Sequence, residues 1–292
     1  MTLTNFFFAN PMLLVVISLV FGLLVGSFLN VVIYRLPQMM QAEWTKQCYQ
    51  LFEIKNPSKR SEITTSFNLA VPNSHCPKCK HEISALQNIP LFSWLFLRGK
   101  CRYCQGSISA RYPIMEACTG IITALVVFQF GFSWLTLAAL FFSWSLIVLT
   151  MIDFDHQLLP DDITLPLLWL GLVINSMSMI TFLEEAVWGA IVGYAILWGV
   201  YWLFKLATGK EGMGYGDFKL LAALGAWMGW QSLPVIILLS SCVGAVVGLG
   251  LIVFKGRDKN IPIPFGPYLA SAGFLALLWG DELTAFYYSL IL

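Results

Sequence analysis

The sequence predicts an all-α polytopic membrane protein with about eight transmembrane helices and one polar module between helices 1 and 2. The chain has 292 residues, of which 58% are hydrophobic and 11% charged, and its mean hydropathy is +0.74. A soluble domain carries about 25% charged residues, so this composition excludes an ordinary soluble protein. The net charge of +1 does not favour a nucleic-acid partner. We therefore expect the chain to be surrounded by membrane lipid.

Eight apolar segments are candidate membrane helices, because crossing a bilayer takes about 20 apolar residues. The first is too long for a cleavable signal and no basic residue precedes it, so we expect it to be retained as helix 1. The sixth is the weakest, since its helix would cover only about 20 Å; it must borrow flanking residues, tilt, or re-enter. The segments lie at about 12–33, 113–131, 133–152, 163–182, 185–206, 218–231, 233–254 and 266–290.

The positions of Lys and Arg predict the orientation, because cytoplasmic loops are enriched in both. Eleven of the 17 basic residues lie between Arg35 and Arg111, and the other six lie at ends of later segments. With eight crossings, all of them fall on one side. This predicts periplasmic N- and C-termini and three parts: a first helix (1–33), a cytoplasmic module (34–112) and a seven-helix membrane domain (113–292). The sequence gives no prediction of an oligomeric state.

Two C-x-x-C pairs lie inside the polar module and comprise Cys76, Cys79, Cys101 and Cys104. Four thiolates at this spacing favour a closed, structural zinc ribbon. A module of this size also needs a metal or disulfides, because burial alone stabilises a small domain weakly. A redox dithiol pair and reduced core cysteines are the alternatives. His75 and His81 flank the first pair and are interpreted as surface residues or neighbours of the metal ligands.

Two carboxylates abut apolar segments on the predicted cytoplasmic side. Asp153 follows one segment, and Asp217 ends a glycine-rich stretch in which Gly214 and Gly216 would let another backbone approach closely. Two neighbouring carboxylates share a proton, which suits amide hydrolysis: one takes a proton from water and the other protonates the leaving nitrogen. Scattered structural or ion-coupling aspartates are the alternative.

Other acidic residues nearby have a simpler interpretation. Asp161 and Asp162 precede an apolar segment and are expected to cap its helix and face water. For Asp155 and His156 a functional and a structural role both remain open.

The order of the motifs resembles the type IV prepilin peptidases, which are bifunctional enzymes within the GxGD class of intramembrane aspartyl proteases. A lone GxGD motif would be weak, but several motifs in the right order are highly specific. The resemblance covers nearly the whole chain, through residues 26–35, the two cysteine pairs, 88–91, 93–95, 98–99, 111–113 with Glu116, 153–161, 214–217 and 264–267.

This resemblance implies both the site and the reaction. Asp153 and Asp217 would be the catalytic pair, Gly214 and Gly216 the active-site loop, and the four cysteines zinc ligands. The substrates would be prepilins and pseudopilins of type IV pilus and type II secretion systems, cut after a glycine on the cytoplasmic side of the bacterial inner membrane.

The resemblance also implies a second reaction, in which the new N-terminal residue is methylated with S-adenosylmethionine as the methyl donor. Gly99 lies in a region linked to this methyl transfer. Gln87 stands where many relatives have Glu, a departure that bears on methylation and not on cleavage.

Two other functional classes make different demands on the sequence. An ion-coupled transporter that uses Asp153 and Asp217, with the cysteine module as a regulatory domain, predicts carboxylates deep within helices and matched halves. A zinc-dependent intramembrane protease needs an open site such as His-Glu-x-x-His, and none of the three histidines is suitably spaced.

Overall fold

The computed structural model describes residues 6–7, 9–52, 67–84, 89–255 and 263–291. Within these ranges the regular structure is helical apart from two isolated β-bridges. Each of the eight predicted apolar segments corresponds to a helix, which confirms the all-α prediction. The helices are α1 (Pro11–Leu51), α2 (Phe92–Phe96), α3 (Arg111–Phe130), α4 (Trp134–His156), α5 (Asp161–Ser176), α6 (Leu183–Thr208), α7 (Tyr215–Met228), α8 (Leu233–Lys255) and α9 (Gly266–Ile291), with a 3-10 turn at Trp230–Ser232.

Six of the described helices are long and apolar enough to cross a membrane: α1, α3, α4, α6, α8 and α9. Helices α5 and α7 have only 16 and 14 residues. Helix α9 breaks at Trp279, whose backbone is not helical, two residues before Asp281 and Glu282. The chain divides into two compact units, Met1–Phe132 and Ser133–Leu292.

In the first unit, α1 packs closely against α3. A Cβ at Gly22 would lie 2.6 Å from Thr123, and one at Gly26 would lie 2.8 Å from the Glu116 backbone. Helix α1 continues 18 residues beyond its predicted end at residue 33, to Leu51. Its 41 residues span about 60 Å, twice the hydrocarbon thickness of a bilayer, so one end projects out of the membrane. Hydropathy located the apolar part, but the polar residues that follow continue the helix.

Buried Arg35 connects the projecting part of α1 to the loop before the first cysteine pair. Its guanidinium donates to the carbonyl oxygens of Asn68, Leu69 and Pro72 at 2.9, 3.3 and 2.5 Å. Helix α3 belongs to the same compact unit as α1 and the module, whereas the sequence grouped it with the later helices.

Helix α7 forms the core of the second unit. From Asp217 to Met228 every residue except Lys219 is buried. Glycines on α6 and on α7 itself allow this. A Cβ at Gly189 or Gly225 would collide with the other's carbonyl oxygen, and one at Gly193 would lie 2.7 Å from the Leu221 oxygen. The weakest predicted span is therefore a short helix surrounded by protein.

Side chains also satisfy polar groups around α7. The Asn175 side-chain amide donates to the carbonyl oxygens of Ala226 and Trp227, both at 2.9 Å. These carbonyls lie in the last turn of α7 and lack partners within the helix. The Trp227 indole N–H donates to the Leu167 oxygen at 2.8 Å. The short helix thus ends inside the protein with these groups paired.

We predict that Gly189→Ala destabilises the protein while Gly199→Ala on the same helix does not. The first methyl group would force α6 away from α7, at a cost of about 1–3 kcal/mol. The second has no neighbour within 4 Å and should be neutral or stabilising by about 1 kcal/mol, because Ala favours helix. Thermal unfolding in detergent measures both; equal melting temperatures would contradict the close packing.

Candidate active site and metal centre

The Asp153 carboxylate lies at the beginning of α9. Asp153 occupies the last turn of α4, is buried, and its Oδ2 accepts the backbone N–H of Gly266 at 3.0 Å. Gly266 is the first residue of α9, where backbone N–H groups have no partner within the helix and the helix dipole favours negative charge. A Cβ at Gly266 would lie 2.6 Å from Oδ2. This position therefore excludes side chains. The sequence motif at 264–267 had drawn attention to Gly266 without giving it a role.

Asp217 lies in the first turn of α7, directly after Gly216. Its side chain is buried, and no group in the described part of the chain forms a hydrogen bond with its Oδ1. Leu159, in the loop after α4, reaches both sites: it lies 2.7 Å from a Cβ built at Gly216 and 3.2 Å from one at Gly266. The fold thus brings the two predicted aspartates together around one leucine.

The two glycines before Asp217 meet different constraints. The approach of Leu159 excludes a side chain at Gly216. Gly214 occupies the N-cap position of α7, and a Cβ there would lie 3.9 Å from the Asp217 Oδ2, which is an ordinary contact. The prediction that glycine permits close approach applies to Gly216, and the approaching group is a side chain rather than a backbone.

The other predicted carboxylates lie at helix ends. Asp161 and Asp162 are exposed in the first turn of α5, and Pro160 is its N-cap, so the expected capping role is wrong. Lys219 Nζ lies 2.7 Å from both carboxylate oxygens of Asp161 and so joins the start of α7 to the start of α5. Asp155 and His156 are exposed at the end of α4.

The four predicted cysteines form one cluster in the first unit. The Sγ atoms of Cys76, Cys79, Cys101 and Cys104 all lie within 4.8 Å of one another, and the Cys76–Cys104 pair is 3.9 Å apart. Four sulfurs at about 2.3 Å from a tetrahedral metal ion are about 3.8 Å from each other. The donor set therefore fits such an ion.

The two cysteine pairs are a structural repeat with an offset of 25 residues. The N–H of Cys76 donates to the His81 oxygen and that of Cys101 to the Gly106 oxygen, both at 2.9 Å. The Lys80 N–H donates to the Cys76 oxygen, as the Gln105 N–H does to the Cys101 oxygen. Sequence reasoning missed the repeat because little beyond the cysteines is shared between residues 74–83 and 99–108.

In both halves of this repeat, residues 74–83 and 99–108, backbone N–H groups favour the thiolate form of a cysteine, which is the form that binds metals. Those of Cys79 and Lys78 lower the pKa of the Cys76 thiol to about 6. Those of Cys104 and Tyr103 lower the pKa of Cys101 in the same way. Equivalent donors thus act on the first cysteine of each pair.

Contacts between the two halves also follow the repeat. Lys78 lies over Gly106, where its Cδ would be 2.6 Å from a Cβ. With the 25-residue offset, Tyr103 is equivalent to Lys78, and His81 is equivalent to Gly106. The Tyr103 and His81 rings lie 3.5 Å apart, centroid to centroid. His81 is exposed, as is His75. Among the described residues, the group whose ligand atoms lie close enough together to hold a metal ion is the four cysteines.

Gly99 occupies a tight turn between α2 and the second cysteine pair. Its φ is +68°, and a Cβ would lie 2.9 Å from the Trp94 ring. Its N–H donates to the Trp94 oxygen and its oxygen accepts the Ile108 N–H. A side chain at 99 would disturb this turn. Gln87 and Asn88 lie outside the described residues.

Comparison with known proteins adds family evidence to this geometry. Residues 20–130 match the Bacterial Peptidase A24 N-terminal domain, and residues 140–249 match the Type IV leader peptidase family. The chain is 58% identical to a prepilin leader peptidase/N-methyltransferase of Stutzerimonas stutzeri over 98% of both chains. It is 50% identical to one of Pseudomonas aeruginosa, again over 98% of both, and 45% identical to one of Legionella pneumophila over 91% of this chain and 92% of that one. No solved structure matches the chain.

We predict that Cys76→Ser or Cys101→Ser removes the bound metal and destabilises the module, because each change removes one of four thiolate ligands. Elemental analysis of the purified protein measures the metal content, which should fall from about one equivalent to near zero. Cys118→Ser is the matched control, since this exposed cysteine lies in α3. Unchanged metal content in the Cys76 and Cys101 variants would contradict the assignment.

Proposed function

Because the chain belongs to the type IV leader peptidase family, we propose that it removes the leader peptides of type IV prepilins and pseudopilins, cutting after a glycine. It then methylates the new N-terminal residue, with S-adenosylmethionine as the methyl donor. The observation that carries the peptidase proposal is a pair of buried carboxylates, Asp153 and Asp217. They lie 64 positions apart in the sequence, but their neighbours Gly266 and Gly216 both lie against Leu159.

The surroundings of the two aspartates favour different roles. Asp153 accepts a backbone N–H at a helix N-terminus, an arrangement that stabilises a carboxylate. Asp217 also lies in the first turn of a helix, but its Oδ1 is buried and has no partner in the described chain, and an unsatisfied oxygen makes a buried charge costly. We therefore assign Asp153 as the ionised base and Asp217 as the protonated acid.

These roles give a balanced hydrolysis. Asp153 takes a proton from a water molecule as the water oxygen bonds to the carbonyl carbon of the substrate glycine. Asp217 gives its proton to the amide nitrogen as the C–N bond breaks. Asp153 then carries the proton and Asp217 the charge, and a proton transfer between the two carboxyl groups restores the starting state.

The position of the pair suits a substrate that crosses the membrane. Asp153 lies at one end of a membrane-length helix and Asp217 in the first turn of α7. The Lys and Arg distribution supports a cytoplasmic position for these ends, and we propose the bacterial inner membrane as the location. A prepilin with its hydrophobic helix in the bilayer would present its cleavage site at that level. A transporter would instead need its carboxylates deep within the helices.

The cysteine cluster is proposed as a structural zinc site. Four thiolates leave no open coordination position for a substrate, and zinc prefers this tetrahedral set. The zinc ion would then hold the two cysteine pairs of the cytoplasmic module, residues 34–112, in one fold.

We also propose that the methyltransferase activity depends on this cytoplasmic module. The similar proteins are N-methyltransferases by name, which supports a methyl donor. We propose that Gly99 acts by permitting the turn over Trp94. A larger residue there would move both the ring and the second cysteine pair.

We predict that Asp153→Asn and Asp217→Asn each reduce prepilin cleavage by about 10²–10⁴-fold, because each removes one proton-transfer group. Cleavage of a purified prepilin by the reconstituted enzyme is the measurement. Asp162→Asn, at an exposed position in the first turn of α5, should retain activity. Full cleavage by both single variants would end the assignment.

We predict that Gly266→Ala lowers kcat by about 100-fold, because a methyl group at this position displaces the Asp153 carboxylate. Gly280→Ala lies in the same helix with nothing within 4 Å of the new methyl and should be fully active. Metal content and melting temperature should be similar in the two variants. If Gly266→Ala cleaves as well as Gly280→Ala does, the contact between Gly266 and Asp153 has no part in catalysis.

A further inference from the structure

Helix α2 exposes large apolar side chains on the outside of the cysteine module. Phe92, Leu95 and Phe96 are 57%, 62% and 85% exposed. Trp94 lies on the opposite side, where its ring covers Gly99 and its indole N–H donates to the Ile108 oxygen at 3.3 Å. The helix is therefore fixed to the module by one face, and the other face needs a partner. We call Phe92, Leu95 and Phe96 the α2 surface.

The beginning of α2 is tied to the end of a membrane-length helix. The N–H of Leu91, the residue before α2, donates to Glu116 Oε2 at 2.8 Å. Glu116 is buried and lies five residues after the start of α3 at Arg111, a distance of about 8 Å along the helix. On the other side, Asn30 of α1 donates to the Tyr112 oxygen at 3.2 Å. The α2 surface therefore starts level with the first turns of α3.

The sequence around the α2 surface is basic. Residues 89–112 contain no Asp or Glu. The basic side chains are exposed and are Arg98, Lys100, Arg102 and Arg111. Exposed aromatic and leucine side chains beside Lys and Arg are typical of segments that lie in the interface of an anionic membrane. Each basic residue near such a surface adds about 1 kcal/mol of attraction.

We propose that the α2 surface inserts into the headgroup region of an anionic membrane leaflet and holds the cysteine module against the membrane. Anionic lipid is the partner that fits best, because both the charge and the level of α2 match the membrane surface. A prepilin or a second copy of this chain would be a different occupant. The proposal does not depend on the peptidase assignment, because docking needs no substrate.

The test places a bioorthogonal nitroxide side chain at residue 96 in the full-length protein, in nanodiscs of phosphatidylglycerol with phosphatidylcholine. Collision with oxygen reports contact with lipid, and collision with a water-soluble nickel complex reports contact with water. We expect the oxygen-to-nickel ratio at residue 96 to be several-fold higher than at residue 82, an exposed position in the same module. Replacing Arg98 and Lys100 by Gln should lower the ratio at residue 96 but not at 82.

Three results would overturn the proposal. The first is a ratio at residue 96 equal to that at residue 82 in anionic nanodiscs. The second is protection from both probes that appears only when a prepilin is added, which would make the substrate the occupant. The third is protection that depends on protein concentration in detergent, which would indicate a second copy. Metal content, measured on the labelled protein, confirms in each case that the module is folded.

Discussion

The contact between Gly189 and Gly225 is the constraint on which the second unit depends. Here two helices approach so closely that backbone meets backbone. This approach, repeated at Gly193, lets a 14-residue helix lie inside a bundle of longer ones. Because α7 carries Asp217 in its first turn, the same packing fixes the depth and direction of that carboxylate. Stability and the proposed chemistry therefore share one cause.

The proposed roles of the two aspartates rest on different hydrogen bonding of two chemically identical side chains. Gly266 supplies an N–H to Asp153 from a helix N-terminus, whereas Asp217, in the first turn of α7, keeps a buried Oδ1 that is unpaired among the described residues. A hydrogen-bond donor favours the charged form and burial favours the neutral one. No metal or histidine is needed in this scheme for one carboxylate to act as base and the other as acid. The glycines at 216 and 266 share a simpler task, which is to leave room for Leu159 and for the carboxylate.

Sequence patterns predicted much of this architecture. The features that they missed depend on backbone geometry and packing, which residue types do not record. Apolar segments indicated eight of the nine described α-helices, all but the short α2, and two short motifs indicated the aspartates and cysteines. Hydropathy cannot find the end of a helix that leaves the membrane, so the extension of α1 to Leu51 was missed. It also cannot separate a short buried helix from a short span, as with α7. The repeat of the cysteine pairs is carried by backbone hydrogen bonds, and Gly266 acts through its N–H and its missing side chain; neither leaves a pattern of residue types.

The proposed hydrolysis requires Asp153 and Asp217 to lie close enough together to share one water molecule before the substrate binds. Its most direct test is an experimental structure of the protein in lipid nanodiscs that resolves both side chains. A water that contacts both carboxyl groups places their nearest oxygens within about 6 Å of each other, and this is the result we predict, with the Gly266 N–H on Asp153. Carboxyl groups too far apart to share a water, with α7 in contact with lipid rather than enclosed by α5, α6 and α9, would contradict the account.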